Sequence, residues 1–325
     1  MGKKTAVDPT AAVAGRSPAK LAWDRFRHDK VAMFALVLSI VIFFLAFGAP
    51  FITGLLGLDP LSRDKTAIDL NNVGLPLGPW SGASAEHPLG VEPGTGRDLF
   101  SRLLYGARIS LTVATLTSVS AIGIGLIAGI VSGYFRGRVD ATMGRLVDFL
   151  LAFPSLFLII ALSRPMADRL QDMTGIEDRN TVMVMLLIML LSLLGWASMA
   201  RLIRSEVLSL REREFVLAAQ SLGASNSRII FRELLPSLWP KVIIFLSLSL
   251  PGFLTTEAVL SFLGVGIQPP APTWGVMLSD AVNYAFVVPA YFFFPGLTLV
   301  VVVTALNLVG SGISDAFDPK LERNH

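Results

Sequence analysis

The chain has 325 residues, 53% of them hydrophobic and only 16% charged, with a formal net charge of +3. Soluble domains carry roughly 25% charged residues, so this composition excludes an ordinary water-soluble globule and points to an integral membrane protein. The lack of cysteine excludes disulfides, thiol nucleophiles and cysteine metal sites, and basic loops at a lipid surface explain the positive surplus without a nucleic-acid partner.

Residues 1–20 are small, polar and proline-containing, and read as a disordered tail. Leu21–Lys30 sets Trp23 and Phe26 among basic residues, which predicts an interfacial helix closing an N-terminal region over 1–30. Six charge-poor stretches follow, near 31–53, 109–133, 146–163, 181–200, 240–265 and 286–310, each close to the ~20 residues that cross a bilayer. The first is read as a retained span. Thirty polar and basic residues precede it, and its apolar core exceeds the ~7–15 residues of a signal-peptide core. The third is the least regular, with Asp148 inside it and Arg164 closing it early.

Lysine and arginine set the orientation. With the N-terminus inside, the inner segments 1–30, 134–145, 201–241 and 311–325 hold 19 basic residues, and the outer segments hold 8. The positive-inside rule then places both termini and the 201–241 island in the cytoplasm. The chain divides into the tail 1–30, a first span and outer loop over 31–108, a transmembrane core over 109–310 that includes the loop 201–241, and a C-terminal tail over 311–325.

The outer loop ends in HPLGVEPGTGRDLFSRLLYGAR, where Leu99, Phe100, Leu103 and Leu104 predict a short helix leading into the second span. That span carries Gly125, Gly129 and Gly133 at four-residue spacing, which lets helices approach closely in lipid. Catalysis finds no support. His28, His87 and His325 are scattered, and neither a G-x-S-x-G element nor a phosphate-binding G-x-x-x-x-G-K-[ST] loop occurs. The chain is therefore read as no enzyme, with no catalytic or metal-ligating residue. If the chain moves a solute uphill, the energy comes from a partner or an ion gradient.

The densest signal is a polar island, Arg211–Pro236, between two apolar stretches. A segment this charged cannot stay in hydrocarbon. Phe215, Ala218, Ala219 and Leu222 fall on one face of a short helix. Gly223 stands at its C-cap, and Ser225 can cap a second short helix carrying Ile229, Ile230 and Leu234. Pro236 and Pro240 limit how far that helix runs unkinked. Two amphipathic helices with a glycine elbow form a docking element.

Two intramembrane polar residues carry open alternatives. Glu257 either lines a cavity or gate, or sits at an outer helix end where it reaches water or caps a broken helix, a break that Pro251 and Gly252 permit. Asn307 has the same ambiguity, with interhelical hydrogen bonding as its plain role.

AAQSLGASNSRIIFRELLP (218–236) resembles the cytoplasmic "EAA" signature of permease subunits in binding-protein-dependent ABC importers, matching at Ala218, Ala219, Gly223 and Leu235-Pro236. HPLGVEPGTGRDLFSRLLYGARISL (87–111), GYFRGRVDATMGRLVDFLLAFPSL (133–156) and TEAVLSFLGVGIQPPAPTWGVML (256–278) resemble the dipeptide/oligopeptide branch, in its C-type subunit. The likeness covers about 21–323. It departs from the family at Leu217, where the signature glutamate usually lies, and over Val91–Thr95. The tail 1–20 has no counterpart.

The resemblance implies an all-α integral membrane fold of about six transmembrane helices, with type I ABC importer permease architecture and a cytoplasmic coupling-helix loop. It implies a homologous permease partner (a heterodimer), two P-loop ATPase subunits or domains holding ATP and Mg, an extracytoplasmic solute-binding protein and a peptide substrate. This chain itself would bind no cofactor. The ATPase-coupling residues would be Glu214, Phe215, Ala218, Ala219, Ser221, Leu222, Gly223, Ala224, Ser225 and Arg228. Glu257 and Asn307 would belong to the path or gate, and Gly264–Met277 to a stiff outer loop. The rival reading is a self-contained ion-coupled secondary transporter with Glu257 as its proton site. No internal repeat supports it.

Overall fold

The computed structural model describes residues 18–318. The predicted tail 1–20, save its last three residues, and His325 lie outside that range. The chain is helical almost throughout. Helix α1 (Pro18–His28) leads to α2 (Lys30–Phe47), whose first turn is capped by Asp29 accepting from the N–H groups of Val31 (2.9 Å) and Ala32 (3.1 Å). After α3 (Ala49–Leu56), the following segment holds a two-residue antiparallel ladder of β1 (Ile68–Asp69) and β2 (Leu75–Pro76).

Helix α4 (Leu99–Phe135) runs 37 residues without a break, a length of about 55 Å. The predicted short helix and second span are one rod. No proline interrupts it, and Asp98 caps its start by accepting from Ser101 N–H at 2.6 Å. The third predicted span is instead a pair, α5 (Gly137–Ala152) and α6 (Ser155–Thr174), bent by 87°. Pro154 causes the corner. It lacks an N–H and holds Phe153 extended at φ −86°, ψ 135°. Among the described residues there are five helices long and apolar enough to cross a membrane, and six if this bent pair counts as one.

Helix α7 (Arg179–Leu210) is capped by Asp178 and packs along α4. The four-spaced glycines face that seam. A Cβ at Gly125, Gly129 or Gly133 would stand 2.7 Å from Met199 Cβ, 2.6 Å from Ile203 Cβ and 2.8 Å from Val207 Cβ, respectively. Close helix approach is therefore the role these glycines play. Next come α8 (Glu214–Ser221), a short turn over Asn226–Arg228, a π-helical turn over Ile229–Leu234, and α9 (Leu235–Phe262).

The island's second helix is not separate from the fifth span, because Asn226–Phe262 is one continuous apolar helix. The wide turn explains how Pro236 is tolerated. Leu235 N–H reaches back five residues to Ile230 O immediately before the proline removes a donor. Helix α10 (Trp274–Val282) and helix α11 (Pro289–Phe317) complete the bundle, with α11 packed on α2 and α9. The expected stiff loop over Gly264–Met277 is shorter than predicted. Thr273 caps α10 by accepting from Val276 N–H, so the helix begins at Trp274.

Candidate functional site

The polar island is built as an elbow clamped from beneath. Val216 and Leu234 have no accessible surface and Ile229 has almost none; all three pack with Tyr134, Met199, Ile203 and Val207 on α4 and α7. Polar bonds reinforce this seat. Arg211 Nη1 donates to Tyr134 O at 2.7 Å, and Tyr134 Oη donates to Asn226 Oδ1 at 2.9 Å. Arg136 pairs with Glu212 at 2.7 Å, Arg201 with Asp148 at 2.6 Å, and Arg204 grips Asp140 through both guanidinium edges. The elbow therefore moves with the ends of the spans.

Its outer surface is apolar. Phe215 is 43% exposed, Leu217 48% and Leu222 88%. Glu214, Ala218, Ser221, Gly223, Ser225 and Arg228 also stand at the surface, whereas Ala219 and Ala224 are half-buried against the clamp. The predicted face of Phe215, Ala218, Ala219 and Leu222 is thus split: three point outward and Ala219 inward, beside Val216. Gly223 takes φ +77°, the left-handed conformation that a helix C-terminus uses to reverse direction, and a Cβ there would meet nothing within 4 Å. Sequence reasoning missed Val216 and Phe231. The first falls off the chosen face; the second is 65% exposed beside the elbow, and its large apolar side chain in a charged island was the available signal.

Glu257 is fully buried on α9 and Oε1 accepts from Ser261 Oγ at 2.8 Å. The carboxyl has no accessible surface, so the alternative of reaching water at an outer helix end is not met. Ser261 in turn accepts from Ile267 N–H at 3.3 Å, so the Glu257–Ser261 pair fastens the chain reversal after α9. Asn307 is exposed, and its Nδ2 donates to Val303 O of its own helix at 2.9 Å. It makes no interhelical bond among the described residues.

A second organised region caps the N-terminal end of α4, built from the motif 87–111. Arg102 has no accessible surface; its Nε lies 3.0 Å from Glu92 Oε1, and Nη1 donates to Pro60 O and Pro270 O. Glu92 also accepts from Tyr291 Oη at 2.8 Å and Thr95 Oγ1 at 2.6 Å. Trp274, fully buried, donates from Nε1 to Leu103 O at 3.3 Å. This network ties three chain-distant segments to one helix end, and pairing is what makes its buried charges tolerable.

His87 bridges the same cap, with Nδ1 3.0 Å from Asp98 Oδ2 and Nε2 3.3 Å from Asp64 Oδ2. Burial lowers the imidazole's proton affinity, but the bonds to Asp98 and Asp64 outweigh it and raise the pKa above the ordinary 6.5. Hydrogen bonds from Thr66, and then from His87, hold Asp64 down at about 2. A raised histidine stabilises fully below its unfolded value and loses that contribution as pH rises through its folded value. A depressed aspartate stabilises above its unfolded value near 3.8 and loses that contribution as pH falls toward about 2. Protection of the amides in 87–98, exchange measured relative to the intrinsic rate at each pH, is therefore expected to be highest between about pH 4 and pH 6.5 and lower on either side. His87→Gln should remove the alkaline limb and weaken the acid one, since His87 also helps hold Asp64 down. Protection that stayed flat with pH in the unmodified protein would contradict the bridge.

Residues 121–323 match the family described as binding-protein-dependent transport system inner membrane component, and residues 17–73 match the N-terminal TM domain of oligopeptide transport permease C. The chain is 34% identical to the oligopeptide transport system permease protein OppC of Bacillus subtilis, over 92% of this chain and 88% of that protein. It is 33% identical to the dipeptide transport system permease protein DppC of Alkalihalophilus pseudofirmus, over 94% and 91%. Among solved structures, the inward-facing MetNI methionine ABC transporter gives a TM-score of 0.53 at 17% identity, covering 68% of this chain and 98% of the matched chain. That last likeness concerns the fold.

Proposed function

This chain belongs to the binding-protein-dependent transport inner-membrane component family, and we propose that its elbow, Glu214–Arg228, is the surface through which partner ATPases drive the transport of peptides. It is a multi-pass permease of an ABC importer. In the proposed assembly a homologous permease pairs with it to enclose the path, and two P-loop ATPase subunits or domains hold ATP and Mg against the elbow. An extracytoplasmic binding protein delivers the peptide from the other side, with both termini of this chain cytoplasmic.

One observation carries the reading. Phe215, Leu217 and Leu222 present exposed apolar surface on a helix that is clamped through Val216, Ile229 and Leu234 to the ends of the spans. An exposed apolar patch on a rigid lever suits a protein contact, and a push on it must move α4, α7 and α9 together. The domain division follows the same logic, with 109–310 as the moving core and 201–241 as its lever. Asn307, exposed on α11, remains a path candidate. Glu257, buried with Oε1 accepting from Ser261, supports a role in fastening the reversal after α9, and the family to which the chain belongs favours the ATP-driven reading over the ion-coupled one.

The chain has no native cysteine, so Ala218→Cys provides a single attachment point. In the assembled transporter a short crosslinker at residue 218 is expected to capture the ATPase, and an impermeant reagent added outside the cell should leave it unlabelled. Capture of nothing, or labelling from outside, overturns the assignment.

A further inference from the structure

We propose that the uncharged tip formed by residues 70–80 and 283–288 is a lipid anchor, with Trp80 and Phe286 seated in the headgroup layer of the leaflet where α2 ends and α11 begins. Phe286 is 100% exposed, Val73 78% and Trp80 68%, an apolar surface that calls for a cover. The tip is held rigidly. Val73, Trp80 and Ser81 take φ of +54°, +53° and +65°, left-handed conformations that cost a residue other than glycine free energy. Ser81 Oγ donates to Val91 O and Val91 N–H donates to Ser81 O, both at 2.8 Å, and Gly94 N–H donates to Gly74 O at 2.8 Å. These bonds tie the tip to the cap on α4, at the end of that rod opposite the elbow. Trp80, Val287 and Pro289 line one groove of about 380 Å³, so the two loops form a single surface.

Length and charge identify the cover as lipid. Helix α11 has 29 residues, about 43 Å of rise, which matches a bilayer of ~40–45 Å counted with its headgroups. With the exposed Asp315 in water at its far end, its first turn and the loop before it fall at headgroup depth. Ala46, near the end of α2, shares a buried cluster with Val288 and Tyr291, so a second span ends at the same level. Neither 70–85 nor 281–314 contains an acidic or basic residue. Of the bordering carboxylates, Asp69 accepts from Asn71 N–H at 3.0 Å, Asp280 is half-buried, and Glu86 is exposed on the stretch leading to the charged cap. A soluble protein that docks and departs would leave Phe286 and Trp80 bare in water between visits, whereas a bilayer covers them at all times. Aromatic side chains at the end of a span settle at this depth. Such an anchor keeps the start of α4 at a fixed level in the membrane, and it is independent of the coupling role of the elbow.

The test uses the complete transporter in phosphatidylcholine nanodiscs, assembled with cysteine-free partners. The chain has no native cysteine, so Phe286→Cys and, separately, Trp80→Cys each carry a single fluorophore at an exposed position that supports no core packing. Glu86→Cys, also exposed, serves as the aqueous reference. A phosphatidylcholine bearing a nitroxide high on its acyl chain is expected to quench most of the emission at 286 and at 80 and little at 86, and aqueous iodide should do the reverse. Iodide quenching at 286 and 80 equal to that at 86 overturns the proposal. So does shielding of both positions from both quenchers, which would put the partner permease over the tip. Loss of lipid quenching on adding the binding protein overturns it too, because that protein would then be the occupant.

Discussion

Gly129→Leu should leave almost no folded permease, whereas Gly123→Leu, six residues earlier on the same helix, should be close to neutral. At Gly129 even a single added carbon would stand 2.6 Å from Ile203 Cβ and 2.8 Å from Ala200 O, and the second of these is backbone that cannot rotate away. Leucine adds three carbons more. The two long helices would have to separate along the seam that also seats the elbow, forfeiting the contacts of Met199, Ile203 and Val207. Overpacking of a tight interior costs ~1–3 kcal/mol for small insertions and more when helices must part, against a total stability of ~5–15 kcal/mol. At Gly123 an added Cβ meets nothing within 4 Å. Monodisperse yield after detergent extraction, with thermal unfolding, separates the two variants. Similar yields would show that the seam does not depend on glycine at 129.

The contrast also marks what could be read from the residues alone. Spacing by four identified the glycine seam, because helix geometry forces such residues onto one stripe whatever the partner. It could not name α7 as the partner, since packing partners are set by the whole bundle. The apolar stretches gave the long helices, but the 87° corner at Pro154 escaped notice because a hydropathy pattern carries no direction. The elbow was legible through Gly223, Ser225 and its amphipathic period. Its inward anchor Val216 was not, because Phe215 and Val216 are both large and apolar and only contact with Ile203 and Val207 distinguishes them. Glu257 was singled out correctly as unusual, yet its environment was invisible: Ser261 is one turn away in sequence, but the seal over both comes from chain-distant segments. The Glu92–Arg102–Tyr291 network joins residues up to 199 positions apart, and no local pattern encodes that meeting.

Gly223→Asp is expected to separate ATP hydrolysis from uptake while leaving the permease folded and inserted. Gly223 holds φ +77° with open space around it. A side chain there meets no clash, and the left-handed conformation costs about 1–2 kcal/mol, least for Asp and Asn. The fold should therefore survive, clamped as it is by Val216, Ile229 and Leu234. What changes is the docking face, where a carboxylate now sits beside Leu222, 88% exposed. Placing an unpaired charge in a contact that must exclude water costs about 2 kcal/mol or more, roughly thirty-fold in the population of the engaged state. Gly223→Asn provides the control, sharing the backbone preference without the charge, and should retain most uptake. In reconstituted vesicles holding the complete transporter, the aspartate variant should hydrolyse ATP with little accumulation of peptide. Val216→Asp should instead fail at folding, because its carboxylate would be buried without a partner. Normal uptake by Gly223→Asp would remove the elbow from the coupling path, and equal losses in Gly223→Asp and Gly223→Asn would trace the defect to backbone strain rather than to the docking surface.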